Sequence, residues 1–110
     1  NNYDNTTMDM NFTYPIIKSG IIGATKQLAS FYGKNNVRIN CICPGGIQGH
    51  IKGSKKKQNQ KFVKKYLSKI MLNRLCKAME AAKVCKFFAS DYASYVTGQT
   101  IFVDGGFNSL

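Results

Sequence analysis

The stretch Val37-Arg38-Ile39-Asn40-Cys41-Ile42-Cys43, running into Pro44-Gly45-Gly46-Ile47, decides how this 110-residue chain is read. A short apolar run rich in Val, Ile and Cys reads as a buried strand over 37–43. It ends at Pro44, which has no N–H to give to a central ladder. Cys41 and Cys43 fall on one face of that strand, where cysteine behaves as a small buried hydrophobe. In an open α/β sheet, ligands bind outside the carboxyl ends of the strands, where Pro44-Gly45-Gly46-Ile47 stands. Glycines there let the backbone approach a flat ring, and the Ile47 N–H is a donor suited to a carboxamide. The same residues also make a plain turn, so the flanking sequence has to decide.

Upstream lies Tyr14-Pro15-Ile16-Ile17-Lys18. Pro15 suits the first turn of a helix, and Ile17, Ile21, Ala24, Leu28 and Phe31 recur at helical spacing until Gly33. A helix over 14–33 follows. A lysine four residues after Tyr14 lies one turn along the same face, so phenol and ammonium meet. A tyrosine hydroxyl ordinarily titrates at about 10, and a neighbouring cation brings that down by roughly 1–3, giving a general acid near neutrality. On its own the spacing is weak evidence, since on the order of one such pair arises by chance in a chain with this many lysines. Downstream, 44–60 reads as a long flexible loop. Lys61 to Ile70 and Ala78 to Ser90 read as helices, and Thr100 to Val103 as a strand before the Asp104-Gly105-Gly106 turn. Asn1 to Thr13, polar and without a period, reads as a leader loop onto which Met8, Met10 and Phe12 tuck. Helices alternating with strands give an α/β fold.

With 44% hydrophobic residues, no apolar run of membrane-spanning length and no signal-peptide pattern, the composition is that of an ordinary soluble protein of the cytoplasm with no membrane partner. The formal charge of +11 raises nucleic-acid binding as a class, yet only two of the sixteen basic residues are Arg. Such a chain is poorly equipped for bidentate phosphate or guanine contacts, and Tyr32, Tyr66, Tyr92 and Tyr95 are scattered without a stacking platform. No nucleic-acid partner is expected. The dense run from Lys52 to Lys69 reads as a solvated loop and helix face, or as a contact for an anionic substrate if the loop closes. Cys41, Cys43, Cys76 and Cys85 lack zinc-site spacing, and His50 is the only histidine, so no metal site is expected.

The order of the motifs carries more weight than any one of them. Tyr14 and Lys18, then Arg38-Ile39-Asn40-Cys41-Ile42 before Pro44-Gly45, then Phe88-Ala89-Ser90-Asp91 through Val96-Thr97-Gly98-Gln99, then Val103-Asp104-Gly105-Gly106 resemble the short-chain dehydrogenase/reductase family over Tyr14 to Phe107. The resemblance implies part of a Rossmann-like doubly wound parallel sheet. Tyr14 would exchange a proton with the substrate oxygen, Lys18 would lower the Tyr14 pKa and hold the nicotinamide ribose, and Pro44, Gly45 and Ile47 would line the cofactor, either NAD or NADP. The substrate would be a small carbonyl or hydroxyl compound, and the full-length protein a homodimer or homotetramer using the first helix and the last strand. Three departures stand out: no serine precedes Tyr14, Gly49 occupies a position where threonine is usual, and the customary Pro-Glu after Arg74 appears as Ala78-Met79 with Glu80 next.

A nucleotide-binding sheet needs more strands than the two found here. The chain is therefore expected to be the C-terminal portion of a single domain whose N-terminal nucleotide-binding half is absent. Its parts are the leader loop 1–13, catalytic helix 14–33, strand 37–43, substrate loop 44–60, and helices with the last strand over 61–110. Alone it is expected to be inactive. The leader and the Pro44-Gly45-Gly46-Ile47 loop also look like those of reductases in flagellin-glycan and surface-sugar modification, which implies a sugar-like substrate. The competing reading is a catalytically silent, truncated remnant that folds only on a partner.

Overall fold

The computed structural model describes the backbone of residues 13–49 and 59–109 and the side chains of 16–49 and 59–108. Residues 1–12 of the expected leader 1–13 and loop segment 50–58 lie outside the described residues, and Thr13, read as the end of the leader, is already helical. Helix α1 spans Thr13–Tyr32. A 3-10 turn over Gly33–Asn35 follows, closed by Asn36 in the left-handed region at φ 59° with its N–H on the Gly33 carbonyl. Asn tolerates that conformation better than most residues. Of the apolar residues that recur at helical spacing, Ile17, Ile21, Leu28 and Phe31 are exposed, and the buried positions of α1 are Thr25 and Ala29. Small side chains on that face leave room for close approach to a sheet. Thr25 Oγ1 donates to the Ile21 carbonyl at 2.8 Å, satisfying its hydroxyl within the helix.

Strand β1, Cys41–Pro44, pairs in parallel with β2, Thr100–Val103, in the register Cys41 to Thr100 through Pro44 to Val103. Parallel partners need a long crossover, and this one carries α2, Gln60–Leu67, and α3, Ala78–Ala89. The strand begins four residues later than the sequence reading of 37–43, for a physical reason. Residues 39 and 40 are bonded to the 96–99 segment partly through side chains. Thr97 Oγ1 accepts the Ile39 N–H at 3.0 Å, Asn40 Nδ2 donates to the Val96 carbonyl at 2.9 Å, and the Gln99 N–H donates to Asn40 Oδ1 at 3.0 Å. Arg38 reaches further, its guanidinium donating to the Phe88 and Ala93 carbonyls at 2.7 and 2.8 Å and to Ser90 at 3.3 Å. It thereby satisfies carbonyls that the end of α3 leaves open.

Asn59 caps α2, its side-chain oxygen accepting the Lys61 N–H at 3.0 Å. α2 closes at Leu67, three residues short of the expected Ile70, because Ser68 to Ile70 fold into a turn of backbone bonds onto Lys64, Tyr66 and Leu67. At the start of α3, Glu80 accepts the Lys77 N–H at 2.8 Å and receives both Arg74 guanidinium nitrogens at 2.8 and 2.7 Å. The helix start that lacks the usual proline is held by this carboxylate instead. Among the described residues the buried apolar side chains are Ala29, Cys41, Ile70, Ala81 and Ala93, and no large side chain is fully enclosed.

Candidate active site at the carboxyl end of strand β1

Tyr14 and Lys18 lie one turn apart on α1; the Tyr14 side chain is outside the described residues. Lys18 comes near enough to the end of β1 for its charge to act on Cys43. Burial pushes the Cys43 thiol up, the adjacent Cys41 thiol adds to this, and the Lys18 ammonium pulls the other way. The two sulfurs are 4.0 Å apart, as expected for alternate residues on one face of a strand. Among the described residues, no three His, Cys, Asp or Glu side chains gather into a metal-binding group.

Past Cys43 the chain makes the turn that the sequence singled out. Pro44 is the last ladder residue, and the Gly45 N–H still donates to the Val103 carbonyl at 3.0 Å. The Gly46 carbonyl then accepts the Cys76 N–H at 2.9 Å, and the Gln48 N–H donates to the Cys76 carbonyl at 2.8 Å. This is a parallel bridge between Ile47 and Cys76. Because a trans peptide sets its C=O and N–H on opposite sides, the Ile47 N–H points away from Cys76. No hydrogen bond to another described residue takes up that N–H. An open donor at the carboxyl end of a parallel strand is what a nicotinamide carboxamide requires, so the turn fits that group.

The glycines have a second explanation that the sequence did not offer. A Cβ on Gly45 would lie 2.9 Å from the Asp104 Cα, and one on Gly46 would lie 2.6 Å from Tyr66 Cε1. Both are therefore small because this chain's own atoms press on them. Gly49, the residue in place of the usual threonine, has φ 136°, a conformation that a β-branched residue would adopt only under strain.

Tyr66, one of the tyrosines scattered along the sequence, has aromatic neighbours in the fold. Its ring lies nearly parallel to those of Phe62 and Phe107, with centroids 6.1 and 5.4 Å away. Phe62 lies four residues earlier on the same helix, a spacing that was legible, whereas Phe107 arrives from beyond β2. Asp104, after β2, holds that arm in place by accepting the Gly106 N–H and the Asn108 N–H and Nδ2, all within 3.0 Å. Burial pushes its carboxyl up, but these donors outweigh burial and hold it below the ordinary carboxylate range. A cavity of about 420 Å³ opens between the turn and α2, bordered by Pro44, Phe62, Val63, Tyr66 and Leu75 with the two glycines.

A family described as enoyl-(acyl carrier protein) reductase matches residues 4–108. The 3-oxoacyl-(acyl-carrier-protein) reductase FabG of Chlamydia trachomatis is 41% identical over 93 residues, which are 84% of this chain and 36% of that protein. Among solved structures, a short-chain dehydrogenase from Leptospira borgpetersenii with bound NAD+ superposes with a TM-score of 0.77 at 36% identity, covering 86% of this chain and 34% of that one. A 4-hydroxyisoleucine dehydrogenase complexed with NADH gives a TM-score of 0.75 at 29% identity, covering 84% and 38%. The chain thus spans little more than a third of the length of the proteins it matches. With the parallel strands, the crossover and the Pro-Gly turn in the same order, the chain belongs to the short-chain dehydrogenase/reductase family.

Proposed function

We propose that the protein is an NAD- or NADP-dependent oxidoreductase interconverting a carbonyl and a hydroxyl on a small substrate in the cytoplasm. The observation that carries this reading is the open Ile47 N–H at the carboxyl end of β1, on the strand that Lys18 approaches. Pro44 and Gly45 line the turn, and Ile47 receives the carboxamide. When bound, the nicotinamide supplies or accepts the hydride. This chain's residues do the rest. Tyr14 holds the proton that passes to or from the substrate oxygen, and Lys18 favours the phenolate and hydrogen-bonds the ribose. α1 and β2 serve as contacts in a homodimer or homotetramer.

The polar leader and loop favour a sugar-like substrate. The cavity beside the turn favours a second reading: Phe62, Val63 and Leu75 along its wall suit a substrate with an apolar body, and the relative from Chlamydia is named for an acyl substrate. Titration of the full-length protein with NADH and NADPH, followed by nicotinamide fluorescence, tests the reading. Saturable binding that Lys18→Ala abolishes is expected. A folded, full-length protein that binds neither cofactor is instead the silent remnant.

A further inference from the structure

Two consecutive peptide units set the direction of the Ile47 N–H. The unit joining residues 46 and 47 is held through its carbonyl, which accepts the Cys76 N–H at 2.9 Å. The unit joining residues 45 and 46 is held through its N–H, which donates to the Tyr66 hydroxyl at 2.8 Å. The ring that carries that hydroxyl has two aromatic neighbours. The Tyr66 ring lies nearly parallel to the rings of Phe62 and Phe107, at interplanar angles of 15° and 22°. Only a glycine at 46 lets the ring come so close, since a Cβ there would stand 2.6 Å from Tyr66 Cε1 and 3.1 Å from Leu75 Cδ2. A phenol from α2, twenty residues along the chain, thus bonds the backbone one residue before the donor assigned to the cofactor.

We propose that Tyr66 is a positioning residue for the nicotinamide end of the cofactor, fixing the Pro44-Gly45-Gly46-Ile47 turn so that the Ile47 N–H faces the carboxamide. The inference rests on the cofactor reading of that turn. It makes the seating of α2 and the affinity for the nicotinamide half interdependent, because each favours the same arrangement of the turn. The rest of the dinucleotide lies beyond the reach of this hydrogen bond.

The test compares full-length wild type with Tyr66→Phe, which keeps the stacked ring and removes only the acceptor. Two probes are titrated: whichever of NADH and NADPH the protein takes, and ADP-ribose, which lacks the nicotinamide. The expected result is a loss of about tenfold in affinity for the dinucleotide, the scale of one hydrogen bond, with ADP-ribose affinity unchanged. Faster amide exchange at Gly46 in the variant should accompany it. Equal losses for both probes would reduce Tyr66 to a structural role, and no loss for either would remove it from the site. In both cases binding abolished by Lys18→Ala would leave the oxidoreductase reading standing. A wild type that binds ADP-ribose and the dinucleotide equally well would overturn the assignment of the turn, and Tyr66 with it.

Discussion

At the scale of single residues, Gly46→Ala must displace the Tyr66 ring, so the full-length variant should lose about 1–3 kcal/mol, the usual scale for overpacking, read as a lower denaturation midpoint. The four-residue step from Tyr14 to Lys18 and the glycines after Pro44 were legible in the sequence because helix and strand periods are local rules. The reason Gly46 is glycine was not, because its neighbours Tyr66 and Leu75 lie far along the chain and no pattern near residue 46 announces them. Cys43 supports a second expectation. Burial and the Cys41 thiol disfavour its thiolate, while Cys85 is exposed. Since the thiolate is the nucleophile, iodoacetamide should label Cys85 well before Cys43 at mildly alkaline pH, as peptide mass mapping will show.

At the scale of elements, β2 was read over Thr100–Val103 and stands there, while β1 was read too long. An apolar run does not reveal that Asn40 and Thr97 divert its first residues into side-chain bonds. Arg38 was quoted only as part of a motif, yet it bonds three carbonyls around the end of α3. Replacing it with Met should cost about 2–3 kcal/mol, because bonds to a charged donor are lost and partly buried carbonyls are left open, measurable by urea denaturation. The start of α3 carries a pH dependence. Hydrogen bonds from Arg74, then the Lys77 N–H, lower the Glu80 carboxyl from 4.5 to about 2. A carboxyl lowered by folding stabilises the folded state above its unfolded pKa, and this contribution is lost as pH falls from 4.5 towards about 2. In a carbon-detected NMR titration Glu80 should show a midpoint at about 2 in wild type, rising towards 4.5 in Arg74→Gln.

At the scale of the whole molecule, the described strands and helices leave much apolar surface without a partner layer among the described residues. Ile16, Phe31 and Phe102 are at least half exposed, at 69%, 60% and 50%, and the buried side chains among the described residues are mostly small. A domain is stabilised by enclosing large apolar groups between layers, so these 110 residues alone should bind anilinonaphthalene sulfonate and melt over a broad range. A sharp calorimetric transition without dye binding would contradict this. That deficit was visible in the sequence, where only two strands could be found. The parallel pairing has one more consequence, in the order of events during synthesis. Among the described residues, β1 has β2 as its only ladder partner, and the turn at 44–47 is braced by Val103 and, through Tyr66, by Phe107. A ribosome that has made the whole of α1 and β1 has therefore not yet made what holds the turn. For its ladder partner the segment must wait for more than fifty further residues, so a stop codon ahead of Thr100 would leave Tyr14, Lys18 and the Tyr66 and Cys76 bonds to the turn in the product, with β1 unpaired.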